Sequence, residues 1–277
     1  HNLNAMIGQE YVATNNESLS VIAKYFQKDI APEKMFASLA SNSGATGSRT
    51  INSSLGQEDR TLSFFGRLNY SYADRYLLTF TMRADGSSKF VKDNRWGYFP
   101  AAALGWRIAE EPWMINTKDW LSNLKLRFSY GTAGNNRISS SMYETTYKAY
   151  GSGKYYGAGN QQNPHYTLNN SQLANPELKW ETTITRNVGL DFGFFDERIS
   201  GSLDYYWNTT KDLLLDAPVT AIGYTSMQQN IGQTSNRGVE LNLNAAILRK
   251  KDYSLNFNFN VGFNKNKVDK LAGRSEE

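Results

Sequence analysis

The sequence contains no cysteine, which removes disulfides, thiol nucleophiles and zinc–thiolate sites together. Histidine is almost missing. His1 and His165 stand far apart, so no His-rich ligand cluster of the kind used by metal centres is present. Proline is scarce, six in 277 residues, and long strands are therefore permitted. Long apolar runs are also lacking. Stretches such as 76–78 and 101–104 fall far short of the ~18 residues a spanning helix needs. A mean hydropathy of −0.57 agrees. The net charge of +4 is scattered, with no Lys/Arg stripe interleaved with aromatics, so nucleic acid is not an expected partner. The chain opens on His1, without an initiator Met or signal peptide, and reads as processed or partial.

What the sequence does have is alternation. Between 238 and 264, Val239, Leu241, Leu243, Ala245 and Ile247 alternate with polar or small residues. After a basic turn at 249–252, Tyr253, Leu255, Phe257, Phe259, Val261 and Phe263 alternate mainly with asparagines. Side chains on a strand point to opposite faces in turn, so each arm has one oily and one wet face. Each arm is about as long as a strand tilted across a bilayer, roughly 9–11 residues. The same pattern marks 1–13, 61–73, 76–85, 96–108, 124–134, 180–194 and 199–208. In all, about nine strands are predicted.

The connections sort by length. Short turns fall at Asp74, Asp196 and Lys250, with an intermediate connection at Pro112 that carries a short predicted helix near 113–121. Long loops are predicted near 15–57, 135–179 and 209–237. Within the first, Leu19, Ile22, Ala23 and Phe26 have helical spacing, and 42–56 reads as loop. Strict alternation of short and long connections matches transmembrane barrels, with short periplasmic turns and longer external loops. Tyr72, Tyr76, Trp106 and Tyr253 gather near the short turns. Trp96, Tyr98, Tyr130, Tyr205 and Trp207 gather near the long loops. Two such belts suit the two interfaces of a bilayer. An odd strand count cannot close a single-chain barrel with both termini on one side, so one arc of a larger wall is expected. The fold class read here is all-β, a partial antiparallel transmembrane β-barrel.

Several segments in order resemble the C-terminal barrel of SusC/RagA-type TonB-dependent transporters of Bacteroidetes. They are Arg83-Ala84-Asp85-Gly86-Ser87-Ser88-Lys89-Phe90, Trp96-Gly97-Tyr98-Phe99-Pro100, Leu126-Arg127-Phe128-Ser129-Tyr130-Gly131, and Asn175-Pro176-Glu177-Leu178-Lys179-Trp180-Glu181. Asn230-Ile231-Gly232, Asn236-Arg237-Gly238-Val239-Glu240 and Asn264-Lys265-Asn266-Lys267 follow. The resemblance implies a barrel of about 22 strands around a plug domain. It also implies energised import of oligosaccharides or peptides, a SusD-like surface lipoprotein as lid, the TonB complex, and an outer membrane with lipopolysaccharide around the wall. No plug, TonB-contact segment or closing strand is readable in the chain.

No catalytic residue, metal or cofactor is expected. Asp85 and Asp93 flank a Gly/Ser loop, but a pair of Arg83 with Asp85 explains them better than a calcium site. Glu177 and Glu181 have no cleft-forming context for glycoside hydrolysis. The loop candidates for substrate or lid contact are Tyr147, Tyr150, Tyr155, Tyr156 and Tyr166, whose rings offer flat faces, and Asn135 and Asn136, whose amides donate and accept. The candidates for the lumen or plug-facing side are Arg67, Arg83, Asp85, Arg127, Asp191, Asp204 and Glu240. Two other readings stay open: a passive channel, and a soluble β-rich glycan-binding protein with the oily stripes in a closed core.

Overall fold

The computed structural model describes residues 1–26, 31–34, 39, 49–149, 155–158, 161–164, 166–168, 172–221, 223–271 and 274–275. Its strands are β1 (Asn2–Thr14), β2 (Glu17–Ala23), β3 (Arg49–Leu55), β4 (Asp59–Tyr72), β5 (Tyr76–Ser87), β6 (Trp96–Arg107) and β7 (Leu121–Asn135). Short strands β8 (Tyr147–Ala149), β9 (Tyr155–Ala158), β10 (Gln161–Pro164), β11 (Tyr166–Leu168) and β12 (Gln172–Leu173) follow. The last are β13 (Glu181–Phe194), β14 (Ile199–Ala221), β15 (Tyr224–Arg249), β16 (Ser254–Leu271) and β17 (Arg274–Ser275). Residues 1–11 and 61–277 form one compact unit, and 12–60 another.

In the larger unit one sheet runs in the order β1-β4-β5-β6-β7-β13-β14-β15-β16-β17, with β12 alongside β15. The nine expected strands are all there, as sequential neighbours. Register carries the alternation from strand to strand. One row reads Tyr70–Leu78–Leu104–Phe128–Val188–Tyr205–Val239–Phe263. The next reads Tyr72–Tyr76–Trp106–Leu126–Leu190–Leu203–Leu241–Val261. A one-residue slip anywhere would flip a strand's oily side chains to the wrong face, so the pattern excludes every odd slip, and the pairs of each whole ladder select among the rest.

Among the described residues nothing covers this oily face. Leu104 is 55% exposed and Phe257 49%, and Phe64, Phe128 and Leu203 are exposed as well. Among the described residues, the buried apolar side chains are Phe90, Phe99, Ala109, Leu121, Ile138 and Leu178, well away from those two rows. A soluble sandwich would have clasped the rows between two sheets. The reading as a soluble protein with a closed core is therefore not what the chain builds.

The short turns lie at the end of the sheet where Tyr72, Tyr76 and Trp106 stack, with centroids 6.1 and 6.5 Å apart. Their tightness comes from left-handed backbone at Ala73 and Asp74, and at Phe195, Asp196 and Glu197. At the other end Phe64 stacks on Trp96 and Tyr205 on Trp207. Trp96 and Trp106 bound β6, about 33 Å apart along the strand. At a tilt of about 40° that is about 25 Å along the sheet normal to the belts, the height of a barrel's apolar band.

Three expectations are corrected. Residues 18–26 are not helical: β2 pairs with β3, Val21 facing Ile51, and Gly56 N–H closes on the Asn16 carbonyl at 2.7 Å. The alternating Leu19, Val21 and Ala23 and the β-branched pair Val21-Ile22 fit a strand once 49–55, expected as loop, supplies a partner. Residues 209–237 are not an irregular loop either. β14 and β15 continue as a ladder of 23 and 26 residues, broken by a bulge at Asp212 (φ 55°). Beyond the oily rows both faces are polar or mixed, so the alternation that marks a strand disappears while the ladder does not. The short helix expected near 113–121 is present, as a 3₁₀ segment at Pro112–Thr117. Within 135–179, β8 pairs with β11 and β9 with β10.

Candidate functional site

The polar face is fixed by the same register. Ser71–Leu77–Gly105–Arg127–Gly189–Asp204–Glu240–Gly262 is one of its rows. All seven lumen-side candidates fall on this face. Arg127 reaches across β13. Its Nε donates to both carboxylate oxygens of Asp191 (3.0 and 2.9 Å), and its Nη2 donates to Asp204 Oδ2 (3.1 Å). Gly189 makes that reach possible, because a Cβ there would come within 2.6 Å of Arg127 Nη2 and 2.5 Å of Asp204. Arg83 does the same work nearer the other aromatic belt. Its Nε donates to both Asp85 oxygens (2.7 and 2.9 Å), and its Nη2 donates to Glu10 and to the buried Ser63, each at 2.9 Å. The expected Arg83–Asp85 pair is therefore present, and the carboxylate is engaged by the guanidinium. Arg67 donates to Thr81 Oγ1 at 3.3 Å. Glu240 is exposed beside Asp204, and no described residue bonds its carboxylate.

Planar guanidinium–carboxylate pairs of this kind hold geometry as well as charge. Arg127→Ala leaves Asp191 and Asp204 as diagonal neighbours on β13 and β14 without the guanidinium that joins them. Because the Arg127 side chain is about a third exposed (32%), the cost is discounted to about 1–2 kcal/mol. The urea midpoint of the complete barrel in detergent should fall accordingly, and adding Asp191→Asn should restore part of it. A midpoint unchanged by Arg127→Ala would mean that the pair is solvated and idle.

The long connections are pinned by a clamp. Phe90 and Leu178 are fully buried and pack with Ile138. Trp180 lies 5.6 Å from the rings of both Phe90 and Phe99, and its Nε1 donates to the Arg95 carbonyl at 2.9 Å. The Phe99 ring rests on Gly97 and Gly134, where a Cβ would come within 2.4 and 2.0 Å of it. Asn175 shapes the turn: its Oδ1 accepts from the Glu177 N–H at 3.0 Å, and its Nδ2 donates to the Gln228 carbonyl at 2.8 Å. Asn230 ties Lys179 to the Asp212 bulge. Two loop candidates turn out to belong to this clamp. Asn135 Nδ2 donates to Glu181 Oε1 at 3.3 Å, and Asn136 Nδ2 donates to Ser87 Oγ at 3.0 Å.

Tyr147 and Tyr166 stand on the β8–β11 ladder, 64% and 60% exposed. Tyr155 and Tyr156 contribute backbone to β9, and Tyr150 lies outside the described residues. Sequence reasoning missed Leu178, Asn230 and Glu111. Leu178 and Asn230 stand in segments that carry the family resemblance, and Leu178 is also a lone apolar residue between Glu177 and Lys179; Glu111 had no such signal. Glu111 closes the short-turn end, accepting from Tyr76 Oη (2.6 Å), Trp106 Nε1 (2.9 Å) and Arg75 Nη1 (2.9 Å). The hydrogen bonds from Tyr76 and then Trp106, with the Arg75 charge, hold the Glu111 carboxyl below the usual carboxylate range.

The family described as TonB dependent receptor-like, beta-barrel matches residues 4–276. The chain is 43% identical over 215 residues to the TonB-dependent receptor SusC of Bacteroides thetaiotaomicron, covering 76% of this chain and 21% of that protein. It is 38% identical over 273 residues to the TonB-dependent receptor P3 of Formosa agariphila, covering 98% of this chain and 26% of that one. The chain thus spans about a quarter of the length of these curated relatives. Its fold superposes on the RagAB peptide importer in the open-open state with a TM-score of 0.81 and 29% identity, covering 98% of this chain and 28% of that one. The copper transporter OprC, at 14% identity and a TM-score of 0.54, shares the fold alone. The two faces of the sheet, the sorted connections and these likenesses lead to one assignment: the chain belongs to the TonB-dependent receptor family, as part of its outer-membrane β-barrel.

Proposed function

We propose that the chain is one arc of the wall of an energised outer-membrane importer that takes up oligosaccharides or peptides. The carrying observation is the combination of an uncovered oily face with a polar face on which Arg83 and Arg127 are held in fixed ion pairs. The first suits lipid. The second suits an aqueous bore holding a plug, with Arg67, Arg83, Asp85, Arg127, Asp191, Asp204 and Glu240 lining it. The outer edges of the sheet would pair with further strands of the same barrel. The 43% identity to SusC supports a transporter of that type with a SusD-like lipoprotein lid, and the name of the RagAB importer supports peptide as cargo beside glycan. Tyr147 and Tyr166 offer exposed rings to cargo or lid. No step of this function needs covalent chemistry in the chain.

Uptake by cells carrying the complete gene tests it. Import of a panel of labelled glycans and peptides should require the gene and should stop when TonB is deleted or the proton gradient is collapsed. Import that survives loss of TonB would establish a passive channel instead.

A further inference from the structure

The oily face carries a cationic patch where its rows end at the long-connection side. One step beyond Tyr205–Val239–Phe263 the register places Trp207, Arg237 and Lys265 in a row, and one step further Thr209, Ser235 and Lys267. Arg237, Lys265 and Lys267 are exposed, and no described carboxylate pairs with them. Asp269, next on that face of β16, accepts instead from Ser235 (3.0 Å) and Gln233 (3.2 Å). Arg186 flanks the patch, with Nη1 near the Trp207 carbonyl (3.5 Å) and its guanidinium 5.9 Å from the Tyr130 ring. Tyr205, Trp207, Thr209, Ser235, Arg237, Lys265 and Lys267 border a concavity of about 670 Å³. On the other side of Trp207, which it shares with the concavity, lies a groove of about 290 Å³ lined by Leu104, Phe128, Arg186 and Val188.

A basic cluster facing water alone would be ordinary surface. This one sits on the lipid-facing side, immediately outside the apolar band, and Trp207 joins it to an oily groove on the same face. Cations at that level meet lipid headgroups, and clusters of Lys and Arg beside a membrane recognise anionic lipid. We infer that Arg237, Lys265 and Lys267 form a headgroup site for a phosphorylated glycolipid of the outer leaflet, whose acyl chain lies in the groove of Leu104, Phe128 and Val188 against Trp207. Trp207 separates the two compartments, as interfacial aromatics do with one polar and one apolar edge. The site rests on the membrane placement of the barrel and is independent of what the transporter carries.

The test uses the complete transporter, purified and folded in nanodiscs, with bisphosphorylated lipid A as the probe. Native mass spectrometry and titration should show lipid A retained by the wild type, with dephosphorylated lipid A released. The triple variant Arg237→Gln/Lys265→Gln/Lys267→Gln should bind about fivefold more weakly per charge removed, roughly a hundredfold in all. Lys265→Arg/Lys267→Arg should keep binding, and Lys250→Gln at the opposite end should not change it. Heat-modifiable mobility on gels verifies that each variant is a folded barrel. Equal retention of both lipids, undiminished binding by the triple variant, or complete displacement by low-millimolar inorganic phosphate would overturn the site. Uptake is not part of this readout, so a failed lipid site and a failed importer reading are told apart.

Discussion

Leu190→Arg should destabilise the complete barrel by about 2–4 kcal/mol, the cost of a cation on the lipid face near the bilayer midplane. Leu190 sits in mid-strand, flanked by Leu126 on β7 and Leu203 on β14 in the same oily row. An arginine there has no carboxylate within its row and must bend toward an interface or drag water into hydrocarbon. Asn260→Arg is the matched control. Asn260 lies on the opposite face, between the two aromatic belts, in the row that runs through Asp191, Ser202 and Asn242. Facing water, it should change stability by no more than about 0.5 kcal/mol. Urea unfolding of the refolded barrel in phospholipid vesicles measures both. If the two substitutions cost the same, the faces of the sheet do not see different solvents, and the membrane placement fails with that result.

Leu178→Ala should open the clamp. Leu178 has no exposed surface and fills the space between Phe90 and Ile138. Truncation of a fully buried leucine costs about 2–5 kcal/mol, through lost transfer energy and the cavity left behind. Here the loss falls on the connections, because the cluster joins the segments around 90, 138 and 178 without contributing a ladder of its own. Hydrogen exchange and limited proteolysis should therefore speed up over 136–149 and 172–180 while β13 to β15 keep their protection. Leu178→Met, nearly the same volume, should cost less than about 1.5 kcal/mol and leave exchange close to wild type. Unchanged exchange in Leu178→Ala would show that the backbone bonds of Asn175 and Asn230 hold the connections unaided. Trp180, which joins Phe90 to Phe99, gives a local fluorescence signal for the same opening.

Strand identity and face came from the sequence wherever one side of a strand meets hydrocarbon and the other meets water. Residues 124–134, for example, show Leu124, Leu126, Phe128 and Tyr130 against Lys125, Arg127 and Ser129, and β7 follows that reading closely. Where both faces meet similar surroundings the signal vanishes. The far ends of β14 and β15 were hidden for that reason, although their ladder continues there past the bulge at Asp212. The β2–β3 hairpin was hidden differently. A strand needs a partner, and nothing local in 18–26 announces 49–55. The Arg83–Asp85 pair was readable because its members are two residues apart on one strand, hence on one face. Arg127 with Asp191 and Asp204 could be assigned to the same side but not to each other.

By itself, then, the sequence determined that the chain is a wall with one oily and one wet surface, which way each strand turns, and which end carries the short turns. These follow from a period of two, a property of neighbouring residues alone. Only the tertiary structure decided which charges meet, which glycines make room for them, and that Asn135, Asn136, Leu178 and Trp180 serve a clamp. Those partners lie tens of residues apart, and their meeting depends on the register between strands. Register is set by all the pairs of a ladder together and is written in no single segment.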